Sequence, residues 1–292
     1  MKYAFITQHK NTYPISLQCQ VLGVRRQCYC HYRRHTENRP VAPEHVEMLE
    51  WVKRIAEASD DTYGSRRMKK AMNCLGYPIS RNKARNLMRE ADVQVRHRKK
   101  YKVTTNSHHR QPVFDNLVQR QFDVSQTDLV YAADVTYIWT REGWLYLAVV
   151  IDLCSRKVVG WSMSSRMKAQ LVCDALKMAI WQRRPKAGLI HHSDRGSQYA
   201  SKAFRRLLNA HGIQGSMSRK GDCWDNAVVE SFFGSLKQER VHWRNYQTRH
   251  EAQQDILNYI SVFYNNYRLH STLGYVSPSE YERQLIEMKK AA

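Results

Sequence analysis

The segment YAADVTYIWTREGWLYLAVVIDL, residues 131–153, decides the fold of this chain. Both of its halves are rich in β-branched and aromatic residues, and a glycine-containing turn at 141–143 separates them. The segment VVGWSMS, residues 158–164, follows after a second short turn. Strand-like segments at this spacing indicate hairpins. The pattern therefore predicts three antiparallel strands, over 131–140, 144–153 and 158–164.

Helical and strand patterns alternate after these three strands. Leu171, Ala175 and Met178 recur at helical spacing, whereas GLIHHSD (188–194) and IQGSMS (213–218) are typical of short strands. The pattern predicts helices over 166–183, 201–211 and 227–241, with strands over 188–194 and 213–218 between them. This order favours an α/β fold, a ribonuclease-H-like five-stranded mixed sheet with flanking helices.

The composition indicates a polyanionic partner. The 292 residues include 47 Lys and Arg against 26 Asp and Glu, which gives a formal net charge of +21. Residues 1–120 hold 24 basic and 10 acidic residues, whereas residues 121–292 hold 23 and 16, so most of the excess lies in the first part. A surface this basic attracts polyanions, and nucleic acid is the first partner to expect.

The first third of the chain has the pattern of a small, basic, all-α region. Residues 14–35 combine a short helix, a glycine turn and a basic second helix, an arrangement that resembles a helix-turn-helix. Residues 43–91 contain three further helical stripes with basic side chains outside, and Ser80 can cap the third. We predict a helix-turn-helix-like DNA-binding region over 1–95, a basic linker over 96–120, and an α/β core with a C-terminal helical extension over 121–285.

Composition also argues against two other classes of protein. The longest strongly apolar run, residues 144–151, is eight residues long, whereas a membrane-spanning helix needs about 20. The seven cysteines form no C-x-x-C pair, so a disulfide framework is not expected. A zinc knuckle is an alternative for one cluster, but no second pair completes it: Cys28, Cys30, His31 and His35. We expect a cytoplasmic, nucleoid-associated protein that makes no membrane contact.

Three carboxylates occupy defined places in the predicted core. Asp134 lies within the first strand, Asp194 ends the fourth strand, and Glu230 lies in the first turn of the helix over 227–241. Ligands collect at the carboxyl ends of parallel strands, and a helix can bring a third group to that edge. The three side chains are therefore candidates for one site.

Other acidic residues of the core have structural interpretations. Asp152 is the main alternative to the first of these carboxylates, but we expect it to pair with Arg156. Asp225 or Asn226 can cap the following helix. Glu239 lies beyond the first turn of that helix, and we expect it to be solvated.

Several motifs of the core carry a family resemblance. They resemble the segments around the catalytic carboxylates of retroviral-integrase-like DDE transposases: YAADVTY (131–137), GWLYLAVVIDLCSR (143–156), HHSDRGSQY (191–199) and SMSRKGDCWDNAVVESFF (216–233). The chain resembles the downstream reading-frame product of a large bacterial insertion-sequence family over most of 122–282. The resemblance, with thirty-five residues between the last two acids, implies that Asp134, Asp194 and Glu230 form the catalytic triad.

The resemblance implies a metal-dependent reaction on DNA. Phosphodiester cleavage and strand transfer use two divalent cations, which activate the attacking oxygen and stabilise the leaving one. Mg²⁺ prefers oxygen ligands, so Asp134, Asp194 and Glu230 are the expected metal ligands, with Mn²⁺ as a substitute ion. His191 and His192 are an alternative zinc pair, but neighbours in a strand point to opposite faces and do not readily bind one ion.

Basic and polar residues around the predicted site are candidate DNA contacts. Lys237 shares a helical face with Glu230, and the resembling family places a basic residue there. Arg268 and His270 are expected to touch DNA or the outer wall of the pocket. The further candidates are Arg195, Ser218, Arg219 and Lys220, together with Arg66 and Arg67 in the N-terminal region.

Two functions of different classes fit these observations. The first is a transposase that cleaves and joins double-stranded DNA at element ends and at a target. The alternative is a non-catalytic DNA-binding regulator of transposition made from the downstream frame alone. A ribonuclease H fits the predicted fold but not the basic N-terminal region. Synapsis of two DNA ends implies at least a homodimer on DNA, and the resembling family adds an upstream-frame partner or fusion.

Overall fold

A computed structural model of the chain describes residues 2–37, 42–96, 113–219 and 223–291. The N-terminal helices are α1 (Lys2–Gln8), α2 (Ile15–Val21), α3 (Arg26–Glu37), α4 (Pro43–Ala58), α5 (Ser65–Cys74) and α6 (Arg81–Glu90). The strands are β1 (Val130–Thr140), β2 (Gly143–Asp152), β3 (Val158–Ser164), β4 (Ile190–Ser193) and β5 (Gln214–Met217). The later helices are α7 (Ala169–Arg183), α8 (Lys202–Ala210), α9 (Ala227–Glu239), α10 (Arg249–Asn258), a π-helix (Tyr259–Tyr267) and α11 (Pro278–Ala291). Within these ranges, no helix is both long and apolar enough to cross a bilayer.

The five strands form one mixed sheet in the order β3-β2-β1-β4-β5. β2 pairs antiparallel with β1 and with β3, whereas β4 lies parallel to both β1 and β5. The observed strand bounds differ from the predicted ones by no more than two residues. The predicted ribonuclease-H-like α/β fold is therefore confirmed.

Apolar side chains cover both faces of the sheet. Alternate residues such as Leu147 and Val149 on β2 pack against α9 and α10 on one face. Their neighbours Ala148 and Val150 pack against α7 and α8 on the other face. Gly160 lets α7 lie directly on β3, because a Cβ there would lie 2.2 Å from the carbonyl oxygen of Ala175. Two buried layers hold the sheet between helices, which positions the ends of its strands rigidly.

The N-terminal region contains two separate small cores. Helices α1–α3 pack around Ile6 and Tyr29, and helices α4–α6 pack around Met68 and Leu87. The segment 14–35 forms α2 and α3 with a turn between them, as the helix-turn-helix pattern predicts, but α1 had no counterpart in the prediction. The predicted cap of α6 is present, since the Ser80 hydroxyl accepts a hydrogen bond from a backbone N–H of the first turn at 3.2 Å.

The last residues of the expected linker belong to the α/β core. Residues 97–112 of the linker lie outside the described residues, but the chain from 113 onward packs on the sheet. The N–H of Leu117 donates to the Ser216 hydroxyl at 2.9 Å, and the side chain of Val118 is buried in the core. The core therefore begins near residue 113, earlier than the predicted 121, because this segment packs along β5 and bonds to it.

Glu239, expected to be solvated, lies at the C-terminal end of α9 with only 11% of its side chain exposed. Its carboxylate accepts two hydrogen bonds from the Arg268 guanidinium, both at 2.7 Å, and one from the Tyr259 hydroxyl at 2.7 Å. Burial alone would raise the pKa of Glu239, but the positive charge and hydrogen bonds of Arg268 hold that pKa below its ordinary value. The expectation was wrong because the partners of Glu239 lie in a distant part of the chain.

Arg268 and His270 line this buried contact and not a DNA-facing wall, so that expectation was also wrong. The His270 ring packs edge-on against the Tyr264 ring at 4.7 Å. Burial and the neighbouring arginine charges lower the pKa of His270 to about 2, so the ring is neutral. Both side chains serve the packing of the C-terminal segment against α9.

The bundle of helices α4–α6 packs against the same contact between Glu239 and the C-terminal segment. The Tyr63 hydroxyl donates to the carbonyl oxygen of Tyr267 at 3.1 Å and accepts from the N–H of Leu269 at 2.9 Å. Arg67 reaches Glu239 at 3.5 Å. A second ion pair joins Arg240, just after α9, to Asp60 at 3.1 Å. The basic bundle is therefore fixed to the end of the helix that carries Glu230.

We expect Glu239→Ala to lower the free energy of unfolding by about 3–5 kcal/mol, because it leaves the buried Arg268 guanidinium without its carboxylate. Urea denaturation at pH 7 measures this loss. Glu57→Ala, at an exposed glutamate of α4, is the matched control and should change the free energy by less than about 0.5 kcal/mol.

The pH dependence provides a second check. Because the pKa of Glu239 is lowered in the folded chain, its stabilisation is present above the ordinary value of 4.5 and is lost as the pH falls below it. The stability difference between the natural chain and Glu239→Ala should therefore shrink on acidification. A difference that is constant with pH would contradict the ion pair.

Candidate active site

The parallel pairing of β1 with β4 brings Asp134 and Asp194 together. Ala133 lies opposite Ser193 in the register, so the two aspartates follow at neighbouring positions on adjacent strands. Neighbouring strands lie about 4.8 Å apart, and side chains at equivalent positions point to the same face. Both carboxylates are half-buried at the edge where β4 ends, on the face that α9 covers.

The charges around Asp134 shift the pKa of its carboxyl group. Burial and the negative charge of Asp194 raise the pKa of Asp134 well above its ordinary value, and the charge of Glu230 raises it further. The N–H of Val135, which donates to the carboxylate at 2.7 Å, and the charge of Lys237 oppose this shift. The three predicted catalytic acids are therefore close enough to interact electrostatically.

Glu230 is the outermost of the three acids. It lies exposed in the first turn of α9, and partial removal from water raises the pKa of its carboxyl group. The start of α9 is fixed beside Asp134, because the side-chain amide of Asn226 donates to the carbonyl oxygen of Ala133 at 3.2 Å. In the part of the chain that the structure describes, no three His, Cys, Asp or Glu side chains are arranged to hold one metal ion. The fold thus brings two acids side by side, with the third near them but not closed on them.

A glycine and a tyrosine shape the floor of the site. The N–H of Gly196 donates to Oδ1 of Asp194 at 2.9 Å, and a Cβ on Gly196 would lie 2.9 Å from the same oxygen. Tyr199 is buried in the layer on the other face of the sheet, where burial and the charges of Asp134 and Asp194 raise the pKa of its hydroxyl. The orientation of the Asp194 carboxylate is therefore set by its own loop.

His191 and His192 point to opposite faces of the sheet. The ring of His191 packs between Tyr199 and Phe204, and burial lowers its pKa to about 3. The Nε2–H of His192 donates to the carbonyl oxygen of Asp225 at 2.9 Å, and its Nδ1 lies 2.8 Å from the Ser216 hydroxyl. A zinc site that uses both rings is incompatible with this arrangement.

Asp225 has a structural role that the sequence did not suggest. Its buried carboxylate accepts hydrogen bonds from Arg219 and from Arg120, whose Nε lies at 3.0 Å, and these lower its pKa. The predicted cap was wrong: Asn226 occupies the N-cap of α9 but makes no side-chain capping bond. Asp225 instead joins the segment that precedes β1, the loop after β5 and the start of α9. No spacing pattern in the sequence could have shown this, because Arg120 is 105 residues away.

Asp152, the alternative to Asp134, does not belong to the site. Its carboxylate accepts the backbone N–H groups of Asp128 at 2.7 Å and Ser155 at 2.8 Å. Asp152 lies opposite Tyr131 in the register of β1 and β2. Tyr131 precedes Asp134 by three residues along β1, so Asp152 and Asp134 lie on opposite faces of the sheet. Arg156, the partner expected for it, instead donates to the carbonyl oxygen of Phe122 at 3.0 Å.

The candidate DNA contacts near the site differ in their exposure. Arg195 is half-buried and donates to the carbonyl oxygen of Ser218 at 2.7 Å. The side chain of Ser218 is itself buried near His192. Arg219 is exposed over part of its length although it pairs with Asp225. Lys220 lies outside the described residues.

The remaining candidates lie on helices. Lys237 is buried, with its ammonium 4.9 Å from the centre of the Tyr137 ring, and desolvation lowers its pKa to about 8 although the charge of Asp134 opposes this. Arg66 is exposed on α5. Arg67 points inward to its ion pair and so presents little of its charge to solvent.

We expect Asp194→Asn to stabilise the metal-free chain by about 1–3 kcal/mol at neutral pH, since it removes the repulsion that Asp134 experiences. Because the pKa of Asp134 is raised in the folded chain, the natural protein loses stability as the pH rises above 3.8, and the variant should lose less. Urea denaturation in a chelating buffer measures the gain in stability at neutral pH and the loss of stability with rising pH. Asp174→Asn, at a surface aspartate of α7, is the control, and equal effects of the two substitutions would contradict the repulsion.

Comparison with known proteins finds family models and relatives that match most of this chain. Models described as an integrase core domain match residues 125–223 and 230–286, and a model described as an HTH-like domain matches residues 44–101. Transposase InsF for insertion sequence IS3A of Escherichia coli (strain K12) is 40% identical over 287 residues, which cover 97% of this chain and 99% of InsF. An uncharacterized 31 kDa protein of insertion element IS600 from Shigella sonnei is 39% identical over 92% of this chain and 99% of its own length.

Among solved structures, the catalytic core domain of HTLV-2 integrase in complex with magnesium is similar to this chain. The TM-score is 0.42 and the sequence identity 16%, and the match covers 54% of this chain and 97% of that core. The model described as HTH-like matches the α4–α6 bundle, whereas the helix-turn-helix pattern of the sequence lies in the α2–α3 segment.

Proposed function

Because the chain belongs to the IS3 family of insertion-sequence transposases and carries an integrase catalytic core, we propose that it cleaves DNA at the ends of an insertion sequence and joins them to a target. The observation that carries this proposal is the placement of Asp134 beside Asp194 at the end of β4, with Glu230 near enough on α9 to act on the pKa of Asp134. Two or three carboxylates in one small region serve phosphodiester chemistry through divalent cations.

The residues present fit Mg²⁺, with Mn²⁺ as a substitute. The donor set is made of carboxylate oxygens, which these hard ions prefer. The repulsion that raises the pKa of Asp134 is what a bound cation would relieve. Asp134, Asp194 and Glu230 are the side chains that would hold two ions. When bound, these ions supply Lewis-acid activation of the attacking oxygen and charge stabilisation of the leaving one.

The side chains of the chain itself hold the reacting groups in place. Gly196 orients the Asp194 carboxylate through its N–H, and Asn226 fixes the start of α9 against β1. Glu230 is exposed, so its side chain has the freedom to turn toward the pair. Lys237 places a positive charge beside Asp134, where it can meet a DNA phosphate.

The proposed partners follow from the charge and the helical bundle. The exposed basic surface of α5 and α6, including Arg66, is the proposed contact for duplex DNA outside the core, with Arg195, Ser218, Arg219 and Lys220 near the scissile strand. A reaction that joins two element ends to one target needs at least two copies of the chain on DNA. We also propose an upstream-frame partner or fusion, and a cytoplasmic location on the nucleoid, where such a substrate is found.

The activity is tested with labelled DNA ends of the insertion sequence and Mg²⁺ or Mn²⁺. We expect Asp134→Asn, Asp194→Asn and Glu230→Gln each to lower the rate of nicking and joining roughly a thousandfold or more, because metal ions supply several kcal/mol of transition-state stabilisation. Asp174→Asn is the control that should keep the activity. Sequence-selective binding without any product, in the natural chain as in the variants, would instead identify a non-catalytic regulator.

Lys237→Ala tests the contact to phosphate. We expect weaker binding of the DNA end and a salt dependence of log K that is shallower by about one phosphate's share. Lys177→Ala, at an exposed lysine of α7, is a matched control for the loss of one positive charge. Competition binding between 50 and 200 mM salt measures the slope. Identical slopes for the natural chain and Lys237→Ala would count against this contact.

A further inference from the structure

An exposed row of aromatic rings lies at the end of the β1–β2 hairpin. The Tyr137 and Trp144 rings meet edge-on with centres 4.9 Å apart, and the Trp139 and Trp144 rings meet edge-on at 4.8 Å. Trp139 is 58% exposed and Trp144 is 43% exposed. Large aromatic side chains left in solvent as a group mark a surface that is covered by a partner.

Lys237 connects the aromatic row with the acidic pair. The Lys237 ammonium lies 4.9 Å from the Tyr137 ring, and the charges of Lys237 and Asp134 act on each other. Tyr137 follows Asp134 by three residues on β1, a distance of about 10 Å along the strand, and therefore lies on the opposite face of the sheet. The pairing of β1 with β4 ends at Ala133, so a DNA strand whose phosphate lies at the carboxylates would pass Lys237 at this edge of β1 to reach the rings within a few nucleotides.

Positive charge lies on both sides of the rings. Arg141 is exposed in the hairpin turn, and Arg249 donates from Nε to the carbonyl oxygen of Trp144 at 3.1 Å. With Lys237, these residues place three cations around the aromatic row, against the exposed carboxylate of Glu142, which accepts the backbone N–H of Arg249 at 2.8 Å. Aromatic faces combined with basic side chains bind single-stranded nucleic acid, because bases stack on the rings while the cations follow the phosphates.

We propose that Trp139 and Trp144 form a stacking site for unpaired bases of the DNA strand next to the scissile phosphate. The proposal rests on the proposed function, since it names the state of the DNA that the acidic site receives. Bases within a duplex stack on each other, so a protruding indole gains a base face only where pairing is lost. A half-buried acidic pair likewise reaches one strand more readily when that strand has separated from its complement, and stacking offsets part of the cost of separation.

A second copy of this chain is the competing occupant. In a symmetric contact the same patch faces itself. Arg141, Arg249 and Lys237 would then approach their own copies, and like charges at a contact are unfavourable. The charge around the rings therefore favours a polyanion.

The experiment uses the full chain and two DNA ends, one fully paired and one with three unpaired terminal nucleotides that carry 2-aminopurine. Binding is measured without divalent cations, so that no strand is cut. For the natural chain we expect quenching of the unpaired 2-aminopurine and tighter binding of the frayed end than of the paired end. Trp139→Leu and Trp144→Leu should abolish the quenching and weaken binding of the frayed end roughly 5- to 100-fold, with the paired end unaffected.

Two controls keep folding separate from stacking. Trp139→Phe retains an aromatic face and should retain most of the affinity for the frayed end. Trp181→Leu removes a tryptophan that is 77% exposed on α7 and should change neither affinity nor quenching. Loss of affinity for both DNA ends alike, or no loss for the frayed end, would overturn the stacking site.

Two further measurements separate the possible failures. If Trp139→Leu weakens self-association in sedimentation while the quenching persists, the rings are a protein interface and the proposal is wrong. Cleavage by the natural chain with Mn²⁺ is scored separately. A chain that quenches 2-aminopurine but never cleaves would refute the proposed function and leave the stacking site standing. A chain that cleaves without quenching would refute the stacking site and leave the proposed function standing.

Discussion

The parallel alignment of β1 with β4 is the constraint on which the site depends. It places Asp134 and Asp194 side by side, although 59 residues of chain separate them and their negative charges repel each other. Free in solution, two such side chains would separate. Here the buried layers on both sides of the sheet hold the strands together, and the repulsion remains as a raised pKa of Asp134. The acidic pair is thus a place where the fold tolerates local destabilisation, as functional sites commonly do.

The helix α9 is fixed at both ends by different contacts. Near its start, Asn226 bonds to β1 and Asp225 joins the loop after β5. At its end, Glu239 is enclosed by Arg268 and reached by Arg67 from the HTH-like bundle. Glu230 lies between these anchors, so its backbone position is set by the core and by the bundle together. A shift of the bundle would therefore be transmitted to α9 through charged groups that have little room to adjust.

The sequence predicted the strands of the core but not the side-chain contacts that hold them together. Asp194 and Glu230 could be located because each lies at the border of an element whose period is visible locally. The role of Glu239 could not, since its partners Arg268 and Arg67 lie 29 and 172 residues away and become neighbours only in the folded chain. The position of Glu239 beyond the first turn of its helix predicted a solvated side chain, and only tertiary packing shows that another segment covers it.

The same reasoning explains why the basic residues were harder to assign than the acids. A net charge of +21 attracts DNA as a whole, but it does not say which arginines face solvent. Arg67 and Arg268 are used within the protein, whereas Arg66 is exposed. Lys237 belongs to neither class, because its side chain is buried but its charge acts on Asp134. An acidic pocket repels phosphate, so a strand approaching Asp134 needs positive charge close by. Lys237 supplies such a charge from the chain itself, before any cation is counted.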